Sequence, residues 1–438
     1  MFVFATLALV AGSALFPLTS EDEATPAAGK ATDGTWTQWR GPARDGSVGA
    51  KWPADLAGLT PLWSVEDLGP SYAGPIVSET HVFTVETRDE AFEIVRAFDR
   101  TTGEAAWTAE WEGAMEVPFF AARNGSWVRA TPAFDGETLY VAGMRDVLAA
   151  IDASSGEILW VVDFVERYGT GLPSFGFVSS PLVVGDHVVV QAAASLVKLD
   201  KRTGEEVWRG LTAEAGWDGR GSSNGMNSPF SSPVLAELEG KEQLVVLSRT
   251  NLSGVDLEDG SLLWTREIEA FRGMNILTPM VVDDAIFTAP YGGRAQLLVP
   301  LEGEVDPVWD NRAQGNMTSP VVVDGHAYLF TRANRFHCID LATGEDAWIS
   351  EPPGDDYQSL VTNGERILAL SNTGVLRLID GEPKAYTVLD ERDVADEESW
   401  AHLAVAGEHV VVRSQTGMST FRWTPAAKTP PAGAGSAE

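Results

Sequence analysis

The sequence predicts an all-β fold, an eight-bladed β-propeller of four-stranded antiparallel blades whose ring is closed by an N-terminal strand. Three observations predict it. The first is a phrase that recurs with fixed spacing: "FDRTTGEAAW" from Phe98, "IDASSGEILW" from Ile151, "LDKRTGEEVW" from Leu199, "VDLEDGSLLW" from Val255 and "IDLATGEDAW" from Ile339. In each copy Gly follows Asp by four residues and Trp follows by eight. The second is a Ser/Thr-Pro or Gly-Pro element about thirty residues before each of these tryptophans, as repeat units of fixed period require. It reads "GPIV" at Gly74, "TPAF" at Thr131, "SPLV" at Ser180, "SPVL" at Ser232, "TPMV" at Thr278 and "SPVV" at Ser319. The third is the mismatch at the ends. The last unit has no fourth strand of its own, while the chain opens with an orphan one, "PLWSVEDL" around Trp63. Supplying the missing strand from the front closes a ring and removes the exposed edges of an open array.

Each unit reads as four strands. Strand A begins at the Ser/Thr-Pro, strand B follows an Asp-Gly or similar turn, strand C ends at the Asp, and strand D carries the Trp. Short apolar runs such as "ETLYVAGM" and "HVVVQAA", broken by glycine turns, are hairpin patterns, and no amphipathic helix of useful length stands out. Strand A starts fall near Pro75, Pro132, Pro181, Pro233, Pro279, Pro320, Leu360 and Leu403. The unit from Thr278 keeps Trp309 without the Asp-Gly turn, and the units from Tyr357 and Trp400 have lost more of the pattern.

Outside the ring, residues 1–20 read as a secretory signal peptide or, if uncleaved, an N-terminal anchor, although no basic residue precedes the apolar run. Residues 21–35 read as a disordered linker and 424–438 as a disordered tail, leaving 36–423 as the propeller. The stretch "WTQWRGPARDGSVGAKWP" at Trp36–Pro53 is expected to lie across one face of the ring. Export to the periplasm or beyond is the expected location.

Charge narrows the partners. With 63 acidic and 31 basic residues, the net charge of −32 repels phosphate backbones and anionic lipid heads, which argues against nucleic acid. A single cysteine, Cys338, allows no intramolecular disulfide and no lipid-anchoring site near the start.

The recurring phrase could pass for a catalytic constellation of acid, hydroxyl and aromatic. Chemistry is needed once, whereas a fastener is needed in every blade. Asp99, Gly103 and Trp107, Asp152, Gly156 and Trp160, Asp200, Gly204 and Trp208, Asp256, Gly260 and Trp264, and Asp340, Gly344 and Trp348 therefore read as blade-locking residues. The glycine supplies a left-handed turn, the aspartate holds local amides, and the tryptophan buries surface between blades. "GSSNG" at Gly221–Gly225 formally matches a nucleophile motif but lies in a polar loop with no helix to follow. "DLEDGS" at Asp256 resembles part of a calcium loop yet lacks the downstream glutamate, and the histidines show no metal spacing. No catalytic or metal residue is assigned.

The Ser/Thr-Pro starts, the "LD..TGE..W" endings and the circular closure resemble the PQQ-type propeller repeats of bacterial quinoprotein dehydrogenases and of the outer-membrane assembly factor BamB, over roughly Trp36–Trp423. The phrases "WRGPARDG", "RATPAFDG" and "SSPLVVGD" look closest to exported PQQ-like propellers of planctomycete-type bacteria. That resemblance implies two readings. One is a non-catalytic binding or scaffold module for an envelope or extracellular protein, or for a small ligand. The alternative is an oxidoreductase of the alcohol or sugar dehydrogenase kind, dependent on PQQ and calcium. Such an enzyme needs Glu, Asn and Asp ligands for calcium, an Asp base and a cover over the quinone. The vicinal cysteine pair that forms the cover in many members is absent here.

Since strand A lines the channel, the residues just before it surround one mouth. Tyr72, Arg129, Phe177, Phe230, Asn275, Asn316, Tyr357 and Trp400 are the candidate ligand-binding residues, with Arg40 and Arg44 in reach. Aromatic, Arg and Asn side chains around a concavity suit a small ligand or a docked peptide. They could equally plug the channel.

Overall fold

A computed structural model describes residues 34–119, 122, 125–212 and 229–425. The signal or anchor reading of residues 1–20, most of the linker, the "GSSNG" loop and most of the tail lie outside the described residues.

Eight four-stranded antiparallel sheets follow one another along the chain. Blade 1 consists of strands A to D at Ile76–Val77, His81–Arg88, Phe92–Asp99 and Ala105–Glu112. Blades 2 to 7 occupy 133–163, 182–210, 234–267, 280–311, 321–349 and 358–393. Blade 8 takes strands A to C from 404–423 and its strand D from Leu59–Val65, which pairs antiparallel with Met418–Trp423. The first and last strands of the ring thus share one sheet, so neither end of the array is left open.

The up-and-down order places the A–B and C–D turns on one face of the ring, here the lower face. The B–C turns and the connections between blades lie on the other, upper face. One connection holds a helix, α1 (Phe164–Tyr168), that the sequence pattern did not announce. Asp163 caps it by accepting from the Glu166 amide, and Gly169 ends it at φ 67°. Five residues are too few to show a helical hydrophobic period, so only the caps carried a signal.

The apolar core is divided among the seams between blades. One cluster joins Val85 and Val95 of blade 1 to Leu139 and Val141 of blade 2, and another joins Leu148 of blade 2 to Val188 and Val197 of blade 3. Comparable clusters continue around the ring to Val410 and Phe421 of blade 8. A blade therefore buries its faces only when its neighbours are present.

The recurrent phrase acts across these seams, because its turn and its tryptophan serve different neighbours. Asp99 Oδ1 accepts from the Thr101 and Thr102 amides, while the Gly103 N–H donates to the Asp99 carbonyl at φ 73°. The face of this turn receives the tryptophan of the preceding blade. Trp63 Nε1 donates to the Arg100 carbonyl at 2.9 Å, and a Cβ on Gly103 would stand 2.6 Å from the Trp63 ring. The same pairing recurs for Trp107 with Ala153, Trp160 with Lys201, Trp208 with Leu257 and Trp309 with Leu341. Gly156, Gly204, Gly260 and Gly344 lie against those rings. Blade 5 lacks the turn and closes strands C and D through Glu302 and Gly303, both at positive φ. Trp264 accordingly turns back into its own blade and donates to Gln243 Oε1 at 2.7 Å.

The Ser/Thr of the second element forms an inner ring. Gly74 N donates to Thr131 Oγ1, Thr131 N to Ser180 Oγ, Ser180 N to Ser232 Oγ and Thr278 N to Ser319 Oγ, each at 2.9–3.0 Å. Proline follows directly and has no amide of its own to satisfy. The hydroxyl ties blades at the channel and the tryptophan ties them at the outer strands.

Candidate functional site: the channel mouth

The N-terminal stretch enters the channel, which differs from its expected place across one face. Trp36 pairs with Val77, the Phe134 amide donates to the Thr37 carbonyl, and the Val183 amide to Gln38 Oε1. After the tip at Arg40–Asp45 the chain runs out again, pairing Ser47 and Val48 with Thr362. All of these partners lie in strands A, toward their lower ends, so the segment rises from the lower face and folds back. At the tip, Arg40 donates to the Asp45 and Pro320 carbonyls, and Arg44 to the Ser180 and Pro181 carbonyls. Trp39 Nε1 bonds Thr278 Oγ1, and Trp36 and Trp39 both pack on His402.

This hairpin is a plug built on cations. Arg40 and Arg44 are 0% and 2% exposed, and burial pushes their guanidinium pKa values down to about 10 and about 9. Both stay charged at neutral pH, compensated by backbone oxygens. His402 is pushed down to about 3 by burial and then by Arg40, so it is neutral. Arg40 and Arg44 take left-handed φ of 61° and 59°, which bends the hairpin tightly enough to fit.

Above the plug, the candidate residues separate into groups. Tyr72, Arg129, Tyr357 and Trp400 come together as one arc with Trp127. Trp400 stacks on Tyr357 at 5.6 Å and 20°, Tyr72 lies 6.0 Å from Trp400, and Trp127 meets Tyr72 edge-on at 5.6 Å. The Arg129 guanidinium sits 5.4 Å over Tyr72 and donates to the Gly125 carbonyl. Burial lowers Arg129 to about 10 and raises Tyr72 and Tyr357, so the arc presents a cation and two neutral phenols. Trp400 Nε1 donates to Glu398.

Phe230 stands apart, packed on Phe175 at 5.3 Å with Arg249 4.8 Å over its ring. Phe177 is buried at 2% exposure edge-on to Phe164, and so belongs to the seam between blades 2 and 3. Asn275 is 0% exposed and spends its Nδ2 on the Arg249 and Ile268 carbonyls, where it braces a connection. Asn316 reaches the Asp356 carbonyl at 3.4 Å, away from Asn275 in partner and in place. Sequence reasoning missed Trp127, Arg249, Phe271, Tyr291 and Arg332. All but Trp127 and Phe271 lie on or next to B–C turns, which share the upper face with the connections that it did consider.

A quinone–calcium centre asks for a grouped set of Glu, Asn and Asp ligands around an open channel. Among the described residues, no group of three His, Cys, Asp or Glu side chains could hold a metal ion. Asn275 gives its Nδ2 to the Arg249 and Ile268 carbonyls and leaves its buried Oδ1 without a partner, but no acidic group stands with it among the described residues, and the channel holds the Arg40–Asp45 tip. The described residues do not fit that group. Among the described residues the mouth offers aromatic faces and charged guanidinium donors, groups suited to binding.

Residues 91–350 match the family model described as outer membrane protein assembly factor BamB. The chain belongs to this family. It is 24% identical over 280 residues to the BamB of Yersinia pestis, a match covering 56% of this chain and 64% of that protein's length. The crystal structure of BamB from Moraxella catarrhalis superposes with a TM-score of 0.60 at 17% identity, covering 84% of this chain and 98% of that one. The quinohemoprotein alcohol dehydrogenase ADHIIG from Pseudomonas putida superposes at 0.64 and 14% identity, covering 92% of this chain and 82% of that one. At these identities the structural likenesses establish the ring and nothing of its chemistry.

Proposed function

We propose that this BamB-family propeller is an exported, non-catalytic docking module that holds a protein of the cell envelope on its upper face. The observation that carries the reading is the plug. With Arg40 bonded to the Pro320 carbonyl and Arg44 to the Ser180 and Pro181 carbonyls at the heads of strands A, the chain's own hairpin occupies the channel, and among the described residues the rim offers the ligand surface. That rim is aromatic and arginine-rich, the composition in which binding energy concentrates at protein interfaces. The family relationship supports the same reading, since its members are described as assembly factors of the outer membrane.

The test sets docking against redox chemistry. Purified protein is incubated with PQQ and calcium, desalted, and assayed for quinone absorbance and for dye reduction with alcohols and sugars. We expect neither retained quinone nor turnover. Retained cofactor with turnover overturns the proposal in favour of an oxidoreductase.

A further inference from the structure

A second arc crosses the upper face over blades 4 to 6, and its members form one connected strip. Arg249 stacks over Phe230 and donates to the Arg272 carbonyl at 2.7 Å. Arg272 lies 5.3 Å over Phe271, whose ring is 6.3 Å from Tyr291, and Arg332 lies 4.5 Å over Tyr291. Gly292 joins the two halves. A Cβ there would stand 2.9 Å from Phe271 Cβ and 3.5 Å from an Arg332 guanidinium nitrogen.

Two properties set this strip apart. Phe271 is 51% exposed, a large apolar side chain held out at the face rather than folded under it. Arg272 and Arg332 are exposed as well, and among the described residues no carboxylate pairs with either. The nearby ion pairs use Arg294 with Asp310 and Arg335 with Glu351. In a chain of net charge −32, Arg272 and Arg332 stand exposed on segments 268–279 and 331–335, which carry Glu269 as their one acid, and so form a locally positive stretch. A guanidinium stacked on a ring keeps its edge donors for a carboxylate.

We infer that the strip Phe230–Arg249–Phe271–Arg272–Tyr291–Arg332 docks an acidic, extended peptide segment of the partner, with carboxylates on the exposed edges of Arg272 and Arg332 and apolar side chains against Phe271. The inference rests on the docking reading above and gives the partner's chemistry. A long polyanion such as nucleic acid is disfavoured by the summed charge. A short segment senses chiefly the locally positive stretch, because screening acts within about 8 Å at physiological salt.

The probe is a fluorescein-labelled peptide alternating Asp and Glu with Leu and Phe, read by fluorescence anisotropy against the full chain. We expect saturable binding that weakens with added salt. The same peptide with Lys at every acidic position should bind at least about tenfold more weakly. The double variant Arg272→Glu/Arg332→Glu should lose about tenfold or more, and Phe271→Ser severalfold, with far-UV circular dichroism and melting unchanged. Arg202→Glu, on the lower face, should bind like the parent. Equal affinity for the acidic and lysine peptides, or no loss in the folded double variant, overturns the inference, as does the absence of binding by the parent. A single-stranded oligonucleotide binding more tightly than the acidic peptide overturns it too. None of these results bears on quinone retention, so the docking proposal and this inference fail separately.

Discussion

Gly156→Ala tests the seam between blades 1 and 2 where the tryptophan of one meets the turn of the other. Gly156 has φ 79°, and an added Cβ would stand 2.6 Å from Trp107 Cε3. Two costs add. Left-handed backbone disfavours an L side chain by about 1–2 kcal/mol. Moving the indole also loosens its 2.9 Å bond to the Ala153 carbonyl and the packing around it, worth roughly 1–2 kcal/mol more. The expected loss is about 3 kcal/mol. At about 2.1 cal/mol/K of unfolding entropy per residue, that corresponds to roughly 4 °C for a ring of this size. Gly185→Ala isolates the backbone share, since Gly185 also has positive φ, 55°, but nothing lies within 4 Å of its added Cβ. It should cost about 1 kcal/mol. Guanidinium titrations followed by tryptophan fluorescence, with thermal melts alongside, measure both. Equal losses in the two variants would refute the idea that the glycine is there to receive the tryptophan.

Four further outcomes follow from the same physics. Arg40→Ala should destabilise by about 2–4 kcal/mol, because it strands the Asp45 and Pro320 carbonyls inside the channel; denaturant midpoints measure this. Gln243→Leu should cost about 1–3 kcal/mol by leaving the Trp264 N–H buried without an acceptor, whereas Trp264→Phe/Gln243→Leu should recover part of that loss. Burial raises the Asp146 carboxyl to about 7 while its Oδ2 accepts from the Ala193 amide of the next blade. A raised folded-state pKa favours the protonated form, so its contribution is full below the ordinary carboxylate range and is lost as pH rises toward about 7. Urea midpoints should therefore decline over that window in the parent and decline less in Asp146→Asn. At the acid end the sign reverses. Local amides and side-chain donors hold Asp99, Asp152, Asp200 and Asp256 below their ordinary range, so the stability they confer disappears as pH falls through it.

The repeat determined the ring. Spacing from Asp to Gly to Trp, the Ser/Thr-Pro starts and the orphan strand around Trp63 are local or periodic signals. Periodicity survives in a sequence because every blade must satisfy the same packing against its neighbours. Even the exception at blade 5 was visible, as a missing Asp-Gly turn before Trp309. Tertiary structure decided what the periodic signal could not carry. The phrase reads as one unit in the chain, yet Trp107 and the turn that receives it, around Gly156, belong to different blades. Arg40 and Arg44 occur once, so no repeat predicts that their hairpin occupies the channel. The mouth has the same character. Tyr72, Arg129, Tyr357 and Trp400 meet with Trp127 only because the first and last blades close on each other, and Phe271, Tyr291 and Arg332 align only across three blades. Residues distant in sequence become one surface through ring closure. A pattern that repeats encodes the scaffold, and the residues that break it acquire meaning only once the scaffold has placed them side by side.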